Sequence, residues 1–177
     1  MMAPADGPFV DIGWLSEHLG HPRLRVVDCR HRFDDATYGE SAYRSARVPG
    51  AVHFGLKSHL VGSTGDGRSP LPSPEDFARR AAAAGIADDD VVVCYDDGSA
   101  GVAARAWWLF RYAGHQAVFV LRDGFRSWSR ATEAGEAART APASFAVRPP
   151  LISCIDAEQT LAAAQKQDAT IIDARPP

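Results

Sequence analysis

Apolar positions and turn signals alternate along the chain in a βαβα rhythm. Leu15 and Leu19, four apart, mark a short helix that stops at Gly20 and Pro22. Leu24-Arg25-Val26-Val27-Asp28 reads as a short strand with β-branched residues at its centre. Residues 29–50 read as an irregular polar stretch that closes on the turn Val48-Pro49-Gly50, followed by extended Ala51–Phe54. Residues 57–72 are rich in Gly, Ser and Pro and read as a loop. Ser73-Pro74-Glu75-Asp76 opens a helix: Ser can cap free N–H groups, Pro fits the first turn, and two carboxylates sit at the positive end of the dipole. Gly85 closes it. Val91–Tyr95 is apolar on both faces, as a buried parallel strand requires. A loop, Asp96 to Gly101, leads to a helix over Val102–Tyr112 that ends at Gly114. Ala117–Leu121 reads as a strand, Asp123-Gly124 as a turn, and Phe125–Glu133, with Trp128, as a last helix. The alternation predicts an α/β fold: a central, mainly parallel sheet with helices on both faces.

The rhythm then pauses and restarts. Val10-Asp11, a helix, and Val26-Val27-Asp28-Cys29-Arg30 are echoed by Ile155-Asp156, a helix, and Ile171-Ile172-Asp173-Ala174-Arg175. Asp11 to Asp156 and Asp28 to Asp173 are both offset by 145 residues, which marks an internal repeat. The expected layout is one domain over 9–134, a linker over 135–150, and the incomplete start of a second repeat, with its first strand, over 151–177. An opening strand and helix cannot bury their own faces, so 151–177 are expected to be loosely docked.

Composition narrows the function classes. The chain has 177 residues, a net charge of -3 and a pI near 6.0. No basic field is available to attract nucleic acid or a membrane surface. No apolar run approaches the about 20 residues of a membrane span, and no secretory leader opens the chain. Cys29, Cys94 and Cys154 are too widely spaced for a disulfide framework or a metal site. These features predict a cytoplasmic protein with reduced thiols that needs no metal or cofactor.

Five segments in order resemble the rhodanese family: Val26–Arg30, like its strand ending in Asp-Ala-Arg; Tyr43–Val52, like its Tyr-x-x-x-His-Ile-Pro-Gly-Ala; the strand, loop and helix of Val91–Arg105; Ala106–His115 with Trp107-Trp108; and Leu121-Arg122-Asp123-Gly124-Phe125 with Trp128, like its Leu-x-Gly-Gly-x-x-x-Trp. The paired tryptophans and the restart at Ile155 favour the tandem thiosulfate and 3-mercaptopyruvate sulfurtransferases, where a loop cysteine takes sulfur from a small anionic donor as a persulfide and passes it to cyanide or a thiol. Backbone N–H groups of the loop and helix start keep such a thiolate ionised.

The resemblance places Asp96 where that cysteine stands, and a carboxylate cannot form a persulfide. It can instead cap its own loop. The resemblance therefore implies a sulfurtransferase whose catalytic residues are not in this chain. The alternative is a non-catalytic scaffold or a truncated product. A dual-specificity phosphatase, which shares the fold, needs the same cysteine. A second rhodanese domain, in cis or in trans, is the expected partner.

The remaining candidates read as structural. Cys94 lies inside an apolar strand; Cys29, at a strand end, is expected to be partly exposed; Cys154 is exposed on the linker side. Asp28 and Arg30 anchor the irregular segment. Arg47 stands in place of the family's common His and bonds loop carbonyls. Arg105 pairs with Asp96 or Asp97. His53 and His115 are structural, Trp107 packs in the core, and Trp108 turns towards a second domain.

Overall fold

The computed structural model describes residues 7–65, 67–99, 101–137, 140–166 and 169–173. Strands β1 (Phe9–Val10), β2 (Leu24–Asp28), β3 (Val52–His53), β4 (Val91–Tyr95) and β5 (Val118–Leu121) form a parallel sheet in the order β1-β5-β4-β2-β3. β4 is central, and all five of its residues are buried, which is why its sequence is apolar on both faces.

Side-chain alternation along the strands builds two cores. Val27, Val92, Cys94, Val118 and Val120 pack with Phe77 and Phe110 from α3 (Pro74–Ala83) and α4 (Gly101–Tyr112). Val26, Val93, Tyr95, Phe119 and Leu121 face the other way, against Leu15 of α1 (Ile12–His18), Tyr43 of α2 (Tyr38–Ser45) and Trp128. The sheet thus has helices on both faces. The helix starts carry the expected caps: Asp11 accepts from the Trp14 N–H at 2.8 Å, and Ser73 Oγ from the Asp76 N–H at 3.1 Å.

Four sequence expectations change. The stretch 29–50 contains α2, a helix with only Gly39 and Tyr43 buried; a mainly polar surface hides its period. The loop 57–72 opens on a π-type turn, Leu56–Leu60, whose Leu56 and Leu60 are buried. The last helix expected over Phe125–Glu133 is a single 3-10 turn, Gly124–Ser127. Beyond it the chain is held extended, because Arg47 and Glu133 exchange backbone hydrogen bonds at 2.9 and 3.0 Å. In the restart, α5 (Ala157–Lys166) forms with no buried residue. Ile171 and Ile172 are exposed and in no strand among the described residues, since no neighbour pairs with them; residues 174–177 of the echo lie outside the described residues.

A buried polar knot ties the carboxyl ends of β2 and β4 together. Asp28 is fully buried and Arg30 is 4% exposed. The guanidinium of Arg30 donates to both Asp28 oxygens, with contacts of 2.6–3.1 Å, and to the Ala46 carbonyl at 2.6 Å. The Tyr95 hydroxyl donates to Asp28 at 2.7 Å and accepts from the Val48 N–H at 3.3 Å. Burial and the Asp28 charge push the Tyr95 phenol far up, so it stays a donor at any working pH. Asp28 and Arg30 do anchor the following segment, as expected. Because removing one partner leaves a buried charge unpaired, Asp28→Ala should lose about 3–5 kcal/mol of unfolding free energy. Tyr95→Phe should lose about 1–3 kcal/mol. Urea titration measures both; equal small losses would show that the knot carries little.

Buried His115 and half-buried His53 and His59 set an acid limit on stability. The ring of His59 stacks on Phe54 with centroids 4.6 Å apart, and burial, helped by His53 and Arg80, pushes its imidazole down to about 4. Burial also lowers His53 and His115. The folded state keeps these rings neutral, while the unfolded chain binds protons near pH 6.5. Stability is therefore full above about pH 6.5 and is lost as pH falls towards 4. The urea midpoint should drop between pH 7.5 and pH 5, and the drop should shrink in His59→Gln.

Candidate functional site

The carboxyl ends of parallel strands, where strand order switches, are where open α/β sheets place their sites. Here the loop after β4 starts with Asp96, which is 3% exposed. One carboxylate oxygen accepts from the Gly98 N–H at 2.9 Å. The other accepts from the Val102 and Ala103 N–H groups at 3.1 and 3.2 Å, and the Ser99 hydroxyl lies 3.5 Å away. The loop and the first turn of α4 thus form a cradle of N–H donors around an anion, with the positive end of the helix dipole behind it. The anion is the chain's own carboxylate.

The cradle is braced from outside. The Asp96 carbonyl accepts from the Phe125 N–H at 2.7 Å. Gly124 has φ +59°, and a Cβ there would stand 2.4 Å from that carbonyl oxygen and 2.5 Å from the Gly98 nitrogen. Only glycine allows this approach. The Asp123-Gly124 pair was legible as a turn; that it presses on the loop was not. Next to Asp96, Asp97 accepts from the Tyr38 hydroxyl at 2.8 Å.

Arg105 does not pair with Asp96 or Asp97. Its guanidinium donates to the carbonyls of Leu60, Ser69 and Pro70 at 2.9–3.1 Å and straps that loop to α4. Arg47, 3% exposed, donates to the Gly135 carbonyl at 2.7 Å and more weakly to Tyr43, with Glu133 at 3.5 Å. It bonds loop carbonyls, as expected of it.

The thiols lie elsewhere. Cys29 is fully buried rather than partly exposed, because the strand end around it is covered by the second layer of core residues. Its thiol is pushed well up by burial first, then by contact with Cys94 and by nearby carboxylates. Cys94 is also fully buried, and Cys154 is exposed. A buried thiol with a raised pKa is a poor nucleophile. Trp107 and Trp108 both pack on the core; Trp107 donates to the Val118 carbonyl at 3.1 Å, and Trp108 also stacks on Tyr112 with centroids 4.9 Å apart. His115 packs between Phe110 and Phe145. The Nε2 atoms of His53 and His115 are buried without a hydrogen-bond partner among the described residues. Among those residues, no group of three or more His, Cys, Asp or Glu side chains could hold a metal ion. None of the described helices is long and apolar enough to cross a membrane.

Residues 11–131 match the model of the rhodanese-like domain. The chain is similar to the probable 3-mercaptopyruvate sulfurtransferase of Pseudomonas aeruginosa, with 36% identity over 168 residues, 91% of this chain and 59% of that protein. It is 32% identical to the thiosulfate sulfurtransferase of Mus musculus over 174 residues, 94% of this chain and 58% of that one. Among solved structures, SseA from Escherichia coli, described as a 3-mercaptopyruvate sulfotransferase with the rhodanese fold, superposes with a TM-score of 0.86 and 30% identity. That match covers 97% of this chain and 66% of SseA. The chain thus spans under two thirds of the length of these relatives. The parallel five-stranded sheet, the loop after its central strand and the matched 11–131 segment agree: the chain belongs to the rhodanese family.

Proposed function

We propose that this chain is the first unit, with no cysteine at the loop position, of a tandem sulfurtransferase that uses thiosulfate or 3-mercaptopyruvate. In this reading residues 9–134 are a non-catalytic rhodanese-like domain, 135–150 a linker and 151–177 the opening of a second such domain. Asp96 stands at the loop position of the family's cysteine. The observation that carries the reading is the self-occupied cradle, where Asp96 takes the N–H groups of Gly98, Val102 and Ala103. Those donors suit a thiolate or persulfide, and here they hold a carboxylate that has no sulfur to give. The similarity to 3-mercaptopyruvate and thiosulfate sulfurtransferases supplies the donor class.

The chemistry proposed for the whole protein is a two-step transfer. A thiolate attacks the outer sulfur of thiosulfate, the S–S bond breaks, and sulfite leaves. The resulting persulfide gives its outer sulfur to cyanide, which forms thiocyanate and returns the thiolate. The part of residues 9–134 is to position the second domain, whose opening segment carries the exposed apolar residues Ile155 and Leu161.

The test is a thiocyanate assay on the purified chain with thiosulfate and with 3-mercaptopyruvate, cyanide being the acceptor. The expected result is no turnover above buffer. Turnover abolished by alanine at Cys29, Cys94 or Cys154 would overturn the assignment. A companion variant, Asp96→Cys, puts a thiol into the cradle. After exposure to thiosulfate it should carry one added sulfur, about 32 mass units by intact mass, on the thiol that the loop N–H groups keep ionised. A variant that folds but stays unmodified would show that the cradle cannot activate a thiol.

A further inference from the structure

Two adjoining hollows, of about 610 and 240 Å³, open beside the cradle on the carboxyl side of the sheet. They share the walls His31, Arg32, Phe33, Leu56 and Ser69. The larger reaches the start of α4 at Gly101 and Val102 and touches Arg105; the smaller takes in Lys57 and Arg68.

Four cations from four separate segments therefore line one cleft: Arg32 after β2, Lys57 in the π-type turn, Arg68 before α3, and Arg105 in α4. Among the described residues none of the four forms an ion pair with a carboxylate. Arg32 lies over the Tyr38 ring at 4.1 Å and Arg68 over the Phe33 ring at 5.4 Å, which aims both guanidinium groups without neutralising them. Arg105 is held by carbonyls alone. Among the described residues, Asp34 is the acidic residue in the walls. Burial and the Lys57 charge lower His31, so that ring stays neutral and offers a hydrogen bond rather than a charge. Like charges gathered on low-dielectric walls focus a positive potential.

The cleft is not only cationic. Phe33 is 71% exposed, and Leu56 and Val102 line the same hollow. Its volume falls in the range of small-molecule sites and exceeds what a bare inorganic oxoanion fills. Among the described residues no cysteine lines it.

We propose that this cleft binds a small organic anion, a carboxylate or sulfonate carrying an apolar ring or chain. Arg32, Lys57 and Arg68 take the acid group, and Phe33 and Leu56 take the apolar part. The binding is non-covalent and independent of the sulfur-transfer reading.

Three probes separate its elements: benzenesulfonate, the neutral benzenesulfonamide, and sulfate. They are titrated into the isotopically labelled chain at matched ionic strength while amide shifts are followed. Benzenesulfonate should shift the amides of His31, Ser69 and Val102 in a saturable way, with an affinity that falls as salt rises. The sulfonamide and sulfate should each bind at least roughly ten-fold more weakly, the loss expected when charge-assisted contacts or the apolar part are missing. Lys57→Ala with Arg68→Ala should weaken benzenesulfonate by roughly ten-fold or more. Both side chains are exposed, so amide shifts away from the cleft should stay unchanged, and Arg130→Ala serves as a surface control. Absence of saturable binding, equal binding of the sulfonamide or sulfate, or undiminished binding in the double variant would each overturn the proposal.

Discussion

The fold hangs on the Asp28–Arg30–Tyr95 knot. Its members sit at the carboxyl ends of two adjacent central strands, where the backbone must leave the sheet. The Cys29 N–H donates to the Tyr95 carbonyl, and the Phe54 N–H donates to the Asp28 carbonyl, at 2.7 and 2.8 Å. Arg30 then reaches the Ala46 carbonyl at the end of α2, and Tyr95 reaches the Val48 N–H. One buried carboxylate thereby aligns β2, β4 and the return to β3. Burying the pair has a large desolvation cost, offset here by hydrogen bonds within the pair and to Tyr95 and the Ala46 carbonyl, and by the Phe125 ring, whose centroid lies 4.1 Å from the Arg30 guanidinium. Phe125 belongs to the turn that also braces the loop after β4, so the knot and the loop share a wall.

That loop illustrates how one local geometry serves two chemistries. A ring of backbone N–H groups at a helix start stabilises any compact anion. When the anion comes from outside or is a thiolate, the geometry activates it. When it is the chain's own Asp96, the same donors form an internal cap and the loop becomes a rigid part of the domain. Gly98, at φ +121°, and Gly124 are the positions where a side chain would break this arrangement. The cationic cleft beside the loop has a different lining: Asp96 bonds the N–H groups of Gly98, Val102 and Ala103, while Arg32, Lys57 and Arg68 line the cleft.

Beyond the domain, the Leu151 N–H donates to the Arg111 carbonyl and the Arg148 N–H to the Ala113 carbonyl, at 3.0 Å each. These bonds lead the chain off along the end of α4. α5 follows with Leu161 59% exposed. An amphipathic helix of this kind draws its stability from packing more than from propensity, so this segment contributes little to holding the sheet and its helices together.

Periodicity and turn chemistry were enough to place β2, β4, β5, α1, α3 and α4, because each carries a strong local signal: a doubly apolar strand, a Ser-Pro start, a closing glycine. The parallel sheet and the helices on both faces followed from them, while the family came from the resemblance of five segments. The same local signals misjudged α2, whose polar surface conceals its turn of helix, and the segment after Gly124, where long-range pairing of Glu133 with Arg47 overrides helix-compatible sequence. The knot was legible only in part. Asp28 and Arg30 stand two residues apart, but Tyr95 joins them from 67 positions away. Asp96 was readable as a loop cap, whereas the cleft was not readable at all, since Arg32, Lys57, Arg68 and Arg105 are scattered along the chain and meet only when four segments converge. Local sequence determined which elements form, because hydrogen bonds and apolar spacing act between near neighbours. Tertiary structure decided which charges are paired, which thiols are covered and which cations share a field, because those depend on distances that only packing sets.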